Sequence, residues 1–151
     1  MPSPAESLVV KTVTWQEAAG ALLEVRRAVF VVEQGVAEER EIDEHDAGAL
    51  HFLAVAGAGQ PVATARLLPC GRVGRVAVLK SARRSRVGSA LMEAVHAAAL
   101  ARGHSRLRLH AQVSSIPFYE SLGYAAHGAV FDEEGIPHRH MELRIGGERL
   151  S

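Results

Sequence analysis

The 151-residue chain predicts an α/β (α+β) fold, a mixed central β-sheet flanked by helices in the order β-α-β-β-β-α-β-α-β-β. Three observations support it. Short apolar runs bounded by Gly, Pro or polar turn residues recur along the sequence and have the length of strands. Two longer stretches place apolar residues every three or four positions, the period of a helix with one buried face. Those helices fall between strands, so they must cover the faces of a sheet rather than form a bundle of their own.

A length of 151 residues favours one domain over residues 1–151 and is enough for a sizeable core. Seventeen basic and seventeen acidic residues cancel, so no net charge argues for a nucleic-acid partner. The charge is instead local: basic around residues 72–86, acidic around 33–46. The single cysteine, Cys70, excludes an internal disulfide framework and reads as an incidental thiol in a turn. MPSPAES lacks the basic and apolar regions of a signal peptide, and no run approaches a membrane span. A cytoplasmic protein without a membrane partner is expected.

The chain opens with a strand over Leu8 to Val13. Thr14 and Glu17 then form a capping box, in which each side chain satisfies the other's amide at a helix start. The periodic residues Trp15, Ala18, Ala19, Leu22, Val25, Val29 and Phe30 extend that helix to near Gly35, with an interruption at Gly20. Residues 38–46 are acidic and aperiodic, and read as a solvated loop. Leu50 to Ala56 and Val62 to Leu68 form a hairpin, and Pro69-Cys70-Gly71 turns the chain into a strand over Val73 to Leu79. The second helix runs from Val87 to about Arg102 and stops at Gly103. A strand follows over Ser105 to His110, then a short helix over Ile116 to Leu122 that Ser115 can cap. Tyr124 to Phe131 and His138 to Ile145 close the chain as a hairpin turning through residues 132–135.

The stretch from Arg75 to Met92 carries the first chemical signal. A buried strand (Val76, Ala77, Val78) runs through the basic turn Lys80 to Arg86 into a helix that opens at Val87-Gly88-Ser89. Unpaired amides and the positive end of the dipole at such a helix start attract an anion, and Gly88 would let the backbone approach it. The turn is neither a P-loop nor a dinucleotide fingerprint, because the required Gly-Lys-Ser/Thr and the three spaced glycines are absent. By itself it is equally a solvated connection.

The stretch resembles the acyl-CoA-binding segment of the GNAT superfamily, the CoA-dependent N-acyltransferases. Val78 to Arg83 matches its V-x-x-x-x-R run, and Arg83-Arg84-Ser85-Arg86-Val87-Gly88 its Q/R-x-x-G-x-G/A turn, with Arg86 in place of the first glycine. Phe118-Tyr119-Glu120-Ser121-Leu122-Gly123-Tyr124 resembles the F-Y-x-x-x-G-F/Y segment of the same superfamily. Arg27 to Gln34, followed by Asp43, Asp46 and His51, and Gly135-Ile136-Pro137-His138 before Met141, resemble its ElaA-like branch. These segments span most of the chain.

The resemblance implies a GNAT-like sheet whose central strands part to admit acetyl-CoA as co-substrate, with no metal. Val76, Ala77 and Val78 would pair with pantetheine. Arg83, Arg84, Ser85, Arg86, Val87, Gly88 and Ser89 would hold the pyrophosphate, with Phe118 beside them. Tyr119 would protonate the leaving thiolate: a phenol, with a reference pKa of about 10, can donate to a thiolate whose conjugate acid lies near 8.5. Phe118 and Tyr119 would otherwise be core aromatics. Glu33 would be the general base or merely close the helix. Phe30 and His138 would contact the acceptor, or His138 would share an exposed face with His140 and Glu142. The acceptor implied is a primary amine of a small molecule or peptide, and a homodimer is compatible with the sequence. Two alternatives stand beside the enzyme: a non-catalytic acyl-CoA-binding module, which Tyr119 opposes, and a metal site at His138 and His140, for which no third ligand is spaced.

Overall fold

Reciprocal hydrogen bonds at Thr14 and Glu17 start the first helix in this computed structural model, which describes residues 8–146. Glu17 N–H donates to Thr14 Oγ1 at 3.2 Å, and Thr14 N–H to Glu17 Oε1 at 2.8 Å. Helix α1 (Trp15–Arg26) continues without a break into a π-helical segment, Arg27–Glu33. The expected single α-helix is therefore a rod of two windings. Its non-helical residue is Ala18 (φ −139°), not Gly20.

The remaining elements are strands β1 (Val9–Val13), β2 (Leu50–Val55), β3 (Pro61–Leu67), β4 (Arg72–Val78), β5 (Arg106–Gln112), β6 (Ala125–Glu133) and β7 (Ile136–Arg144), with helices α2 (Val87–Ala101) and α3 (Ile116–Ser121). The strands form one sheet in the order β1-β2-β3-β4-β5-β7-β6. Among the described residues only β4 and β5 pair in parallel. Helix α2 buries Leu91, Met92 and Val95 against Phe52, Leu107 and Met141 of the sheet. On the other face α1 buries Leu22 against Leu53 and Val55, and Val25 and Val29 meet Ala77 of β4. No helix among the described residues is long and apolar enough to cross a membrane.

Several boundaries differ from expectation, two of them for a visible local reason. The last hairpin turns through Glu134 (φ 55°) and Gly135 (φ 77°) alone. Two consecutive left-handed residues match the twist of the flanking strands, so β7 starts at Ile136 rather than His138. Ser115 makes no side-chain cap; a 3₁₀ turn over Val113–Ser115 leads into α3 instead.

A β-bulge in β4 shapes the centre of the sheet. Thr64 lies opposite Ala77 and Arg66 opposite Gly74, so Arg75 and Val76 of β4 share a space that one residue spans on β3. Arg75 takes φ 50°, and its carbonyl accepts from Thr64 Oγ1 at 3.0 Å. A bulge bends its strand and raises the local twist. Strand β5 then follows β4 only through Arg72–Arg108 and Val73–Leu109. Beyond that rung the strands part and leave a slot.

The acidic loop is only in part a solvated face: Glu38, Glu39 and Glu44 are exposed, but the other acidic side chains turn inward. Glu41 and Asp46 are buried, and so are Arg26 of α1 and Arg66 of β3. Arg26 donates to Glu41 and to both oxygens of Asp46, at 2.9 and 3.2 Å. Arg66 reaches Asp43 at 2.8 Å and Asp46 at 3.1 Å, and Arg75 reaches Asp43 at 3.2 Å. His51 binds the Asp46 carbonyl through Nε2 at 2.9 Å, and burial holds its imidazole below its usual pKa. The sequence conceals this because each partner lies in a different element.

Burial opposes ionisation of Asp43 and Asp46, yet the arginine hydrogen bonds and charges outweigh it and hold both carboxyls below the usual range. Their stabilisation is present above the unfolded value of about 3.9 and is lost as pH falls through the lower folded values. Asp46→Asn should cost about 3–5 kcal/mol near neutral pH, the usual effect of breaking a buried pair. Urea unfolding at pH 7 and pH 3 should also show a shallower acid dependence than the parent; equal losses at both pH values would contradict the linkage.

Candidate active site

Beyond Val73 the edge of β4 that faces β5 has no strand partner, while its other edge stays paired to β3. Val76 and Val78 lean toward the core under α2, and Ala77 toward α1. The strand thus presents backbone amides and carbonyls without a strand partner along one wall of the slot, an arrangement suited to pairing with an extended ligand.

The basic turn sits where this wall ends. A 3₁₀ turn over Lys80–Ala82 leads to Arg83, and Ser85 Oγ donates to the Ala82 carbonyl at 2.6 Å. Arg84 (φ 67°) and Arg86 (φ 66°) are both left-handed. Arg86 therefore holds a conformation natural to the glycine of the related motif, at a cost of about 1–2 kcal/mol. Helix α2 has no side-chain cap, so its first-turn amides point outward beside Arg83, Arg84 and Arg86. Val87 is buried, while Gly88 and Ser89 are partly exposed.

Gly88 also meets a neighbour on another helix. A Cβ there would lie 3.2 Å from Cζ of Phe118. Phe118 thus packs α3 onto the start of α2 and fixes the turn from behind. Tyr119 is buried between Phe118 and Tyr124, with ring centroids 5.1 and 5.7 Å away. Tyr124 meets His96 Nε2 at 2.8 Å. Burial pushes the Tyr119 phenol well above its usual pKa, so it stays protonated at any working pH.

Glu33 is not placed as a free base. Its carboxylate takes a two-pronged bond from Arg83, at 2.7 and 2.8 Å, which holds it below the usual carboxylate range. Arg83 Nε also donates to the Val78 carbonyl at 2.9 Å. The turn, the wall of the slot and the end of the π-helical segment are therefore tied by one guanidinium. Phe30 packs with Val25, Val29, Ala77 and Leu79 beside that wall.

Across the slot, Gln34 and Gln112 exchange amide hydrogen bonds at 2.9 and 3.4 Å. His138 lies opposite Gln112 on β7 and is buried, stacked on Phe131 rather than exposed beside His140. Its Nδ1 donates to the Ile136 carbonyl at 2.7 Å, which directs Nε2 away from its own turn. His110 on β5 meets Arg72 and Glu133. The sequence reading did not single out Gln112, because the strand was ended at His110, nor His110 itself; the alternation of Arg106 and Arg108 continues through both. No group of three or more His, Cys, Asp or Glu side chains among the described residues converges as metal ligands do.

Comparison with known proteins finds relatives of the same family and fold. The family described as "Acetyltransferase (GNAT) domain" matches residues 11–145. The chain is 39% identical to the N-acetyltransferase YjcF of Bacillus subtilis, itself uncharacterised, over 121 residues that cover 78% of this chain and 86% of that protein. Escherichia coli ElaA superposes with a TM-score of 0.80 at 29% identity, covering 91% of this chain and 99% of ElaA. An acyl-CoA N-acyltransferase from Pseudomonas aeruginosa gives a TM-score of 0.74 at 33% identity, with 90% and 97% covered.

The contact between Gly88 and Phe118 can be tested apart from any ligand. Gly88→Ala should lower the melting temperature in the parent and lower it less in a Phe118→Leu background. The coupling between the two changes should be about 0.5–3 kcal/mol, as for residues in contact. Additive effects would separate Gly88 from Phe118.

Proposed function

The chain belongs to the GNAT superfamily of N-acyltransferases, and on that premise we propose that it moves an acyl group, preferably acetyl, from acyl-CoA to the primary amine of a small molecule or peptide. The observation that carries this reading is the junction of an unpaired strand edge with an uncapped, arginine-lined helix start. An acyl-CoA has the matching parts: an amide-bearing pantetheine arm and a pyrophosphate. Val76, Ala77 and Val78 pair with the arm. The α2 amides from Val87 to Ser89, Arg84, Arg86 and the turn at Ser85 take the phosphates, and Arg83 exchanges Glu33 for a phosphate oxygen.

Transfer then proceeds by direct attack in a ternary complex. The amine enters from the side of Phe30, Gln34 and His138, and its lone pair attacks the thioester carbonyl. The C–S bond breaks with its electron pair on sulfur, and Tyr119 donates to the developing thiolate. Much of the rate comes from holding amine and thioester in line. Glu33 serves Arg83 in this scheme and leaves the amine to another base.

Acetyl-CoA and CoA should both raise the melting temperature by linkage to the native state, and pantetheine, which lacks the phosphates, much less. Equal shifts would remove the phosphate site. Tyr119→Phe keeps the ring and its packing but loses the transferable proton. With a coupled thiol-release assay over amines, polyamines, amino acids and peptides, it should lower kcat by roughly 10²–10⁴ while CoA affinity barely moves. Unchanged turnover would take Tyr119 out of the chemistry, and an absence of turnover in the parent would favour a binding module.

A further inference from the structure

A side-chain cluster at the vertex of the slot is not used by the mechanism above. His110 is the first β5 residue past the last β4–β5 rung, Val73–Leu109. Leu109 and Ala111 face the core, so His110 projects from the opposite face, toward the acidic loop side. Across from it β4 carries Gly74, where a Cβ would meet nothing closer than Arg66 Nη2 at 4.0 Å. The glycine leaves the space at the vertex open beside the imidazole.

The ring itself is held from several elements. Phe131 of β6 and His140 of β7 pack edge-on against it, with centroids 5.1 and 4.6 Å away. Arg72 Nη2 of β4 and Glu133 Oε1 of β6 each lie 2.8 Å from Nδ1. One ring nitrogen cannot serve both at once. A bare Nδ1 accepts from Arg72, whereas a protonated Nδ1 donates to Glu133 and leaves the lone pair on Nε2. Nε2 has no partner among the described residues.

Building on the acyl-transfer reading, we infer that His110 is the general base for the acceptor amine and that Glu133 is its positioning residue, fixing the proton on Nδ1. An ammonium reaching the vertex gives one proton to His110 Nε2. The freed lone pair forms the N–C bond, the C–S bond breaks as Tyr119 gives its proton to sulfur, and the second N–H proton is released to restore the Tyr119 phenol. The imidazolium returns its proton to solvent after product leaves. Burial and Arg72 hold the His110 imidazole below its usual pKa, with Glu133 opposing them and the neighbouring His140 adding a little. A base that is neutral near pH 7 follows, with Arg72 and Glu133 pulling its titration in opposite directions.

The test reads that opposition. In the full chain without substrate, imidazole NMR should show the His110 titration moving to lower pH in Glu133→Gln and to higher pH in Arg72→Met. With acetyl-CoA and the fastest alkylamine from the thiol-release screen, the acid limb of kcat/KM should move the same two ways. His110→Gln should lose that limb and fall by roughly 10²–10⁴. It should fall far less with methoxyamine, whose amine is already unprotonated near neutral pH, while its melting temperature and CoA shift stay those of the parent. An alkylamine rate or acid limb unchanged in His110→Gln overturns the base, and unmoved titrations in the other two variants overturn the Glu133 pairing. A parent that turns over no amine overturns the acyl-transfer reading itself, a result distinct from any of these.

Discussion

Arg75 is the point on which the slot depends. Its φ of 50° lets β4 carry an extra residue opposite β3, and its guanidinium is tied to Asp43 and to the carbonyls of Arg40 and Glu41. A non-glycine residue in the left-handed region costs about 1–2 kcal/mol and persists only where surrounding contacts fix it. The fixing contacts here are charged and partly buried. Arg26, Arg66 and Arg75 face Glu41, Asp43 and Asp46, so the network is neutral as a whole and each desolvated charge meets an opposite one. Such a network adds little net stability compared with apolar packing, but breaking one member is expensive. It therefore fixes the geometry of the slot more than it strengthens the fold.

The same arrangement shows why part of the site was legible in sequence and part was not. The order of strands and helices followed from local periods, and the arginine turn from a contiguous motif. The Thr14–Glu17 box was legible because it acts over one turn. The partners of Arg26 lie 15 and 20 residues away, in a loop whose composition alone reads as solvated. Gln34 and Gln112 are 78 residues apart. No local pattern shows that a charge is paired when its partner arrives through the sheet. Gly88 gave a different lesson, since its smallness was visible but the neighbour that requires it, Phe118, lies on another helix.

The π-helical winding of residues 27–33 places two adjacent side chains on opposite sides of the slot. Val36 N–H bonds to the Phe30 carbonyl at 2.8 Å and Gln34 N–H to the Val29 carbonyl at 3.0 Å, which closes the wide turns and fixes where the segment ends. Wide π turns cost regular hydrogen-bond geometry and tend to occur where function sets the register. Here that register aims Glu33 at Arg83 on the β4 side and Gln34 at Gln112 on the β5 side. One covalent step of backbone thus joins the wall that meets the basic turn to the strand that carries His110.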